Sequence, residues 1–240
     1  MRPLTLVILD GWGYSKQKLG NAVLSAPTPT IDGFAANYPA LLLQASGRSV
    51  GLNWGESGNS EVGHLTLGAG RTIFQYSPRI NKAIQTGEFF ANSALIGAIA
   101  HAVGNNTSLH LVGLLGSGTV HSSLDHLLAL IDMAKQQGIQ KLYLHLFSDG
   151  KDSGLKEMPT LLNKVRVHIT KAGLGTIASI VGRQYAMDRD NNWDHTKVAY
   201  RLMTFGEGKT STNVDATLQE LYDQEFNDTK LPAIIADPAG

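Results

Sequence analysis

Cysteine is absent from all 240 residues, so neither a disulfide nor a thiolate metal site can form, and any metal must be held by oxygen or imidazole. Net charge is absent too. Lys plus Arg and Asp plus Glu number 20 each, which gives no global field toward nucleic acid or an anionic membrane, and any anionic ligand must be gripped by a local cluster. Long hydrophobic runs are missing: none approaches the roughly 18 apolar residues of a membrane helix. The N-terminal run Leu4–Leu9 ends at Asp10, with no small-residue cleavage site to suit a signal peptide. These absences describe a globular protein without nucleic-acid or membrane partners, and the expected location is the cytoplasm. The apolar fraction of 42% suffices for a sizeable core.

Leu4–Leu9 is continuous and branched, as in a strand covered on both faces, and Asp10 would stand at its carboxyl end, where open α/β sheets bind ligands. Thr28-Pro29 reads as a helix start and Leu41-Leu42-Leu43 as a second short strand. From Ser77-Pro78 onward, helices and strands alternate regularly. Helices are expected near 78–86, 93–104, 122–137, 157–171, 194–204 and 214–223, with strands at Leu109–Leu115, Leu142–Phe147 and Thr176–Val181. Such alternation implies right-handed βαβ units and a parallel sheet. A break near 76 separates residues 1–76, too strand-poor to close a core alone, from 77–235. Pro232–Gly240 reads as a crossing back toward chain beyond.

Ser60 sits in Gly58-Asn59-Ser60-Glu61-Val62-Gly63-His64. A nucleophilic serine needs a base or a metal to lower the cost of ionisation, and a helix start beside it would favour an incoming phosphoryl group. Asp10 supplies a hard oxygen for a metal shared with Ser60. The plainer alternatives are that Ser60 caps the helix and Asp10 is a polar strand end. A serine-hydrolase elbow fails on spacing, because Gly63 lies three positions after Ser60 instead of two. His64, one helical turn on, orients the site or makes a structural hydrogen bond.

Three successive strands each deliver polar groups at or just past their ends. His121 follows the first through Gly116-Ser117-Gly118, Ser148-Asp149-Gly150-Lys151-Asp152 follows the second, and Gly182-Arg183 through Arg189-Asp190 follows the third. One sheet edge thereby gains Arg183 and Arg189 to fork onto phosphate or carboxylate, Asp152 to accept from hydroxyls, and His121 to donate to phosphate. Taken singly, an arginine here would be a surface ion pair and His121 a cap. Gly206-Glu207-Gly208-Lys209-Thr210 lacks the first glycine of a phosphate loop, where Met203 stands, and Gly116-Ser117-Gly118 lacks the third of a dinucleotide fingerprint. Asp125 and Asp132 read as solvated.

Leu6-Val7-Ile8-Leu9-Asp10-Gly11-Trp12-Gly13 and the stretch Gly58 to Arg71 (GNSEVGHLTLGAGR) resemble the matching segments of the cofactor-independent (2,3-bisphosphoglycerate-independent) phosphoglycerate mutases, and the resemblance runs from 4 to about 235. It implies a partial alkaline-phosphatase-like sheet unit (1–76), an inserted α/β substrate-binding domain (77–235), and residues 236–240 starting a return toward a C-terminal part. It implies interconversion of 3-phosphoglycerate and 2-phosphoglycerate in glycolysis and gluconeogenesis, through a phosphoserine on Ser60, without 2,3-bisphosphoglycerate and usually in a monomer. Asp10 and Ser60 would bind one Mn2+ of a two-metal site whose other ligands come from a C-terminal half outside this sequence. His121, Lys151, Asp152, Arg183 and Arg189 would contact phosphoglycerate. The family's Gly-Arg-Asp-Thr reads Gly150-Lys151-Asp152-Ser153 here, Gly154-Leu155 replaces the prolines that often follow, and a second His after His121 is lacking. The expectation is an N-terminal mutase portion with little or no activity alone. A phosphoglycerate-binding module, or one part of a split metal-dependent phosphatase, are the alternatives.

Overall fold

The computed structural model describes residues 3–240. The chain divides into two compact units, Met1–Arg79 and Ile80–Gly240.

Unit 1 contains α1 (Ala22–Ser25), α2 (Pro29–Asn37), a 3-10 turn at Gly47–Val50 and α3 (Ser60–Ala69). The boundary falls within α4 (Tyr76–Thr86), which starts two residues before the Pro78 that the sequence placed in its first turn. Neither expected strand forms: residues 3–9 and 39–45 have no regular structure, with Leu4 96% and Leu42 70% exposed. The physical reason is that a parallel strand exists only beside another strand, and these two runs pair with no described residue. Among the described residues of this unit, the buried apolar side chains are Val50 and Val62. Close backbone approach still shapes the loops. A Cβ on Gly58 would lie 1.9 Å from the Ala45 carbonyl oxygen, and one on Gly51, at φ 85°, 2.0 Å from that of Ile73, so both turns need glycine.

Unit 2 continues with α5 (Ser93–Gly104), β1 (Leu109–Leu115), α6 (Leu124–Gln136), β2 (Leu142–Ser148), α7 (Met158–Ala172), β3 (Thr176–Gly182), α8 (Arg183–Ala186), α9 (Trp193–Phe205), β4 (Lys209–Thr210), α10 (Val214–Asp223) and β5 (Ile234–Ile235). The sheet order is β1-β2-β3-β5-β4. The first three strands are parallel, so the α/β class and the βαβ units hold, whereas β5 runs antiparallel to β3. Part of Pro232–Gly240 thus pairs with the sheet. Ile234 and Ile235 join the sheet, and the N–H groups of Ala236 and Asp237 both donate to the Ala178 carbonyl at 2.8 and 3.1 Å. Ala178 is free to receive them because the register shifts between Leu144↔Ile177 and His145↔Ser179, leaving it as the extra residue of a bulge.

One face of the sheet, Leu142, Leu144 and Leu146, packs with Ile131, Met133, Leu162 and Val165 of α6 and α7 in the main core. Each such leucine contributes about 1.5–3 kcal/mol by leaving water. The other face carries a smaller cluster of Val181, Ala199 and Leu202, and a polar line across three strands: His110 Nδ1 contacts His145 Nε2 at 2.9 Å, and His145 Nδ1 contacts Ser179 Oγ at 2.8 Å. Asp132 is not simply solvated, since it ties α6 to α7 through His168 Nε2 at 2.8 Å. Buried Asp228 caps α7 by accepting from Glu157 N and Met158 N at 2.8 and 2.9 Å.

Candidate functional site

In unit 1 the chain brings Asp10 and Ser60 together. Ser60 Oγ donates to Asp10 Oδ2 at 2.5 Å across 50 residues of sequence. The capping alternative for Ser60 is resolved locally: Asn59 is the N-cap of α3, its side chain accepting from Val62 N at 3.1 Å, and Ser60 is the first helical residue. Its hydroxyl is consequently free of the helix ladder, while the helix dipole still favours negative charge at that end. His64 Nδ1 lies 2.7 Å from the Ser60 carbonyl, a bond within the first turn that leaves Oγ untouched.

Asp10 Oδ2 and Ser60 Oγ are hard oxygens of the kind Mn2+ or Mg2+ accepts. They do not make a metal site by themselves, because among the described residues no group of three His, Cys, Asp or Glu is placed to hold an ion.

In unit 2 the parallel strands β1, β2 and β3 end on one edge, and their following loops gather there. Asp149, just past β2, is 2% exposed and Arg183, opening α8, is 8% exposed. Arg183 Nη1 donates to Asp149 Oδ1 and, at 2.8 Å, to Asp152 Oδ2. The backbone N–H groups of Lys151 and Asp152 each donate to Asp149 Oδ1 at 3.2 Å, and Ser153 Oγ donates to Asp149 Oδ2 at 2.5 Å. Burial by itself would raise the Asp149 pKa. The hydrogen bonds from Ser153, Arg183 and the two backbone N–H groups outweigh it and hold the carboxyl below its ordinary value.

Asp152 and Arg183 are thus united, and the glycine loop after β1 closes on them: a Cβ on Gly118 would lie 2.3 Å from the Asp152 carbonyl oxygen. Lys151, His121 and Arg189 are exposed in the loops of the same edge, and of the three only the Lys151 backbone N–H joins the bonded cluster. Arg189 flanks a second small group, where Asp188 accepts from Asn192 N at 2.8 Å and lies 3.9 Å from His195 Nδ1. Two concavities of about 400 and 440 Å³ lie instead at the amino end of β3, both lined by Ile169 and Thr176, the first also by Tyr143 of β2.

Sequence reasoning passed over Asp149 as a site member. The available signal was an acidic residue just past the end of a largely apolar strand, a context like the one that singled out Asp10.

The family model "BPG-independent PGAM N-terminus" matches residues 80–240. The 2,3-bisphosphoglycerate-independent phosphoglycerate mutase of Clostridium perfringens is 47% identical over 237 residues, covering 98% of this chain and 46% of that protein. Its counterpart in Vibrio cholerae is 46% identical over 240 residues, covering all of this chain and 47% of that one. The chain therefore spans about half the length of the curated relatives it matches. Among solved structures, phosphoglycerate mutase of Leishmania mexicana at low cobalt concentration superposes with TM-score 0.70 at 28% identity, over 89% of this chain and 41% of that one.

Proposed function

Since the chain belongs to the BPG-independent phosphoglycerate mutase family, we propose that it supplies the nucleophile and the phosphoglycerate grip of such an enzyme, which interconverts 3-phosphoglycerate and 2-phosphoglycerate in the cytoplasm. The observation that carries this reading is the 2.5 Å bond from Ser60 Oγ to Asp10 Oδ2 at the start of a capped helix.

Ser60 Oγ attacks the phosphorus of the bound monophosphate, the ester bond to glycerate breaks, and the glycerate oxygen takes up a proton. The neighbouring hydroxyl of the retained glycerate then attacks the phosphoserine, which releases the isomer and returns the proton to Ser60. Asp10 holds the hydroxyl hydrogen and fixes the direction of the Oγ lone pairs. A lone carboxylate is too weak a base to ionise serine at neutral pH, and the two oxygens present do not complete a metal sphere. For that reason we infer little or no turnover by this chain alone.

Arg183, Arg189, Lys151 and His121 supply positive charge and donors for phosphate and carboxylate, and Asp152 accepts from a glycerate hydroxyl. Lys151 acts as a point charge, without the two-pronged grip of a guanidinium. A second reading, a phosphoglycerate-binding module without catalysis, is favoured by the contrast between the closed core of unit 2 and the two buried valines of unit 1.

Titration calorimetry of the chain with 3-phosphoglycerate, with and without Mn2+, beside a coupled mutase assay and an Arg183→Ala control, tests both. Binding without turnover, weakened but still measurable in Arg183→Ala, is the expected result. Full turnover by the chain alone would overturn the inference of inactivity, and absence of binding would overturn the substrate assignment.

A further inference from the structure

Asp149 lies outside the residues expected to touch phosphoglycerate, yet it reaches four segments that meet at the carboxyl edge of the sheet. Oδ1 accepts from the N–H groups of Lys151 and Asp152 and from Arg183 Nη1. Oδ2 accepts from Ser153 Oγ, which itself accepts from Ser117 N at 3.0 Å on the loop after β1. Ser117 Oγ donates in turn to Glu157 Oε2 at 2.6 Å. The Asp149 carbonyl accepts from Thr229 Oγ1 at 3.1 Å.

The glycines of Gly116-Ser117-Gly118 acquire a reason here. A Cβ on Gly116 would lie 2.7 Å from Asp149 Oδ2 and 2.5 Å from Ser153 Oγ, so the loop that leads to His121 closes onto this carboxylate only without side chains at those positions. Asp149 itself is a poor substrate contact. Its carboxylate already accepts four hydrogen bonds from protein donors, three of them on Oδ1, and its charge would repel a phosphate. Arg183 is differently placed: both of its carboxylate bonds use Nη1, which leaves the Nε and Nη2 donors outside the pair.

We propose that Asp149 is a positioning residue for phosphoglycerate binding, fixing Arg183 and the Lys151-Asp152 turn against each other and drawing the His121 loop onto them. The proposal rests on the phosphoglycerate reading above. Without the Asp149 charge, Arg183 keeps a single carboxylate partner, Asp152, and loses its fixed aim.

The test uses the whole chain and 3-phosphoglycerate calorimetry on Asp149→Asn, Arg183→Ala and the double variant. Asp149→Asn is expected to weaken binding by at least about tenfold in the native background and by less than about threefold in Arg183→Ala, the coupling expected of residues in one network. An equal loss in both backgrounds, or none in the first, overturns the proposal.

Nitrogen-15 NMR of the Arg183 guanidinium supplies a readout independent of substrate. The native chain should show restricted rotation with resolved Nη hydrogens, and Asp149→Asn should average them while its amide spectrum stays folded. If the native chain does not bind, the substrate reading fails by itself, and persistence of the restricted guanidinium in Asp149→Asn separately overturns the positioning role. Should Asp149→Asn not fold, Ser153→Ala decides, because it keeps the charge and removes one tie. It is expected to weaken binding about two- to fivefold, in line with the loss of one hydrogen bond, and unchanged binding overturns the proposal.

Discussion

Two apolar runs of similar length and composition meet opposite fates in this chain. Leu142–Phe147 lies in a strand with Leu144 wholly buried, whereas Leu4–Leu9 forms no strand, with Leu6 74% and Val7 72% exposed. The difference lies in their neighbours. β2 has β1 and β3 on its two edges and helices over its leucines. The first run has no strand partner among the described residues. Apolar pattern specifies what a segment can bury, and topology decides whether there is anything to bury it against. Long-range side-chain contact does not follow the same divide, since the loosely packed unit still joins Asp10 to Ser60 across 50 residues.

Core truncation is the strongest way to break the comparison. Leu144→Ala or Leu162→Ala should cost unit 2 about 2–5 kcal/mol, read as an earlier urea midpoint with hydrogen exchange assigning the loss to residues 80–240. Removing the Asp149 charge comes next. Asp149→Asn should destabilise the same unit by about 1.5–3 kcal/mol, because it weakens one of the two carboxylate bonds of the nearly buried Arg183.

Acid should act on unit 2 through His145, whose pKa is lowered first by burial and then by the facing His110. A histidine with a depressed folded pKa contributes stability above its unfolded value, about 6.5, and loses it as pH falls through the folded one. The urea midpoint should therefore drop between neutral pH and about pH 5, and His145→Gln should flatten that part of the profile. Asp149, held below its ordinary value, loses its contribution only at still lower pH.

Smaller effects belong to unit 1. Asn59→Ala should raise hydrogen exchange in the first turn of α3 by removing its cap, at about 1 kcal/mol. Leu42→Ala should change stability by no more than about 0.5 kcal/mol. A loss there as large as that of Leu144→Ala would mean that Leu42 is buried in solution and would dissolve the contrast between the units.

The sequence made most of unit 2 legible. Its three parallel strands and long helices were readable because each apolar period was bounded by turn residues, as at α7, which ends at Gly173 with φ 66°. The two-residue strands β4 and β5 were not readable: Lys209-Thr210 and Ile234-Ile235 are too short to show a period, and the bulge at Ala178 that receives the chain after β5 has no local signature. Within the site, Asp10 and Ser60 are in contact, and Asp152 and Arg183 lie at one sheet edge as expected, but bond to each other, which the sequence did not suggest. Asp149 escaped because its importance is the number of segments it joins, a property of the folded edge and not of its neighbours in sequence.

Asn59 has one further consequence. The residue that starts α3 and the residue that presents the hydroxyl are adjacent but separate, so a group placed on Ser60 Oγ displaces the bond to Asp10 and leaves the cap to Val62 N intact. If Ser60 is the nucleophile proposed above, the bond that its modification breaks is not one that holds the helix start, and the backbone beneath it would stay wound through each turnover.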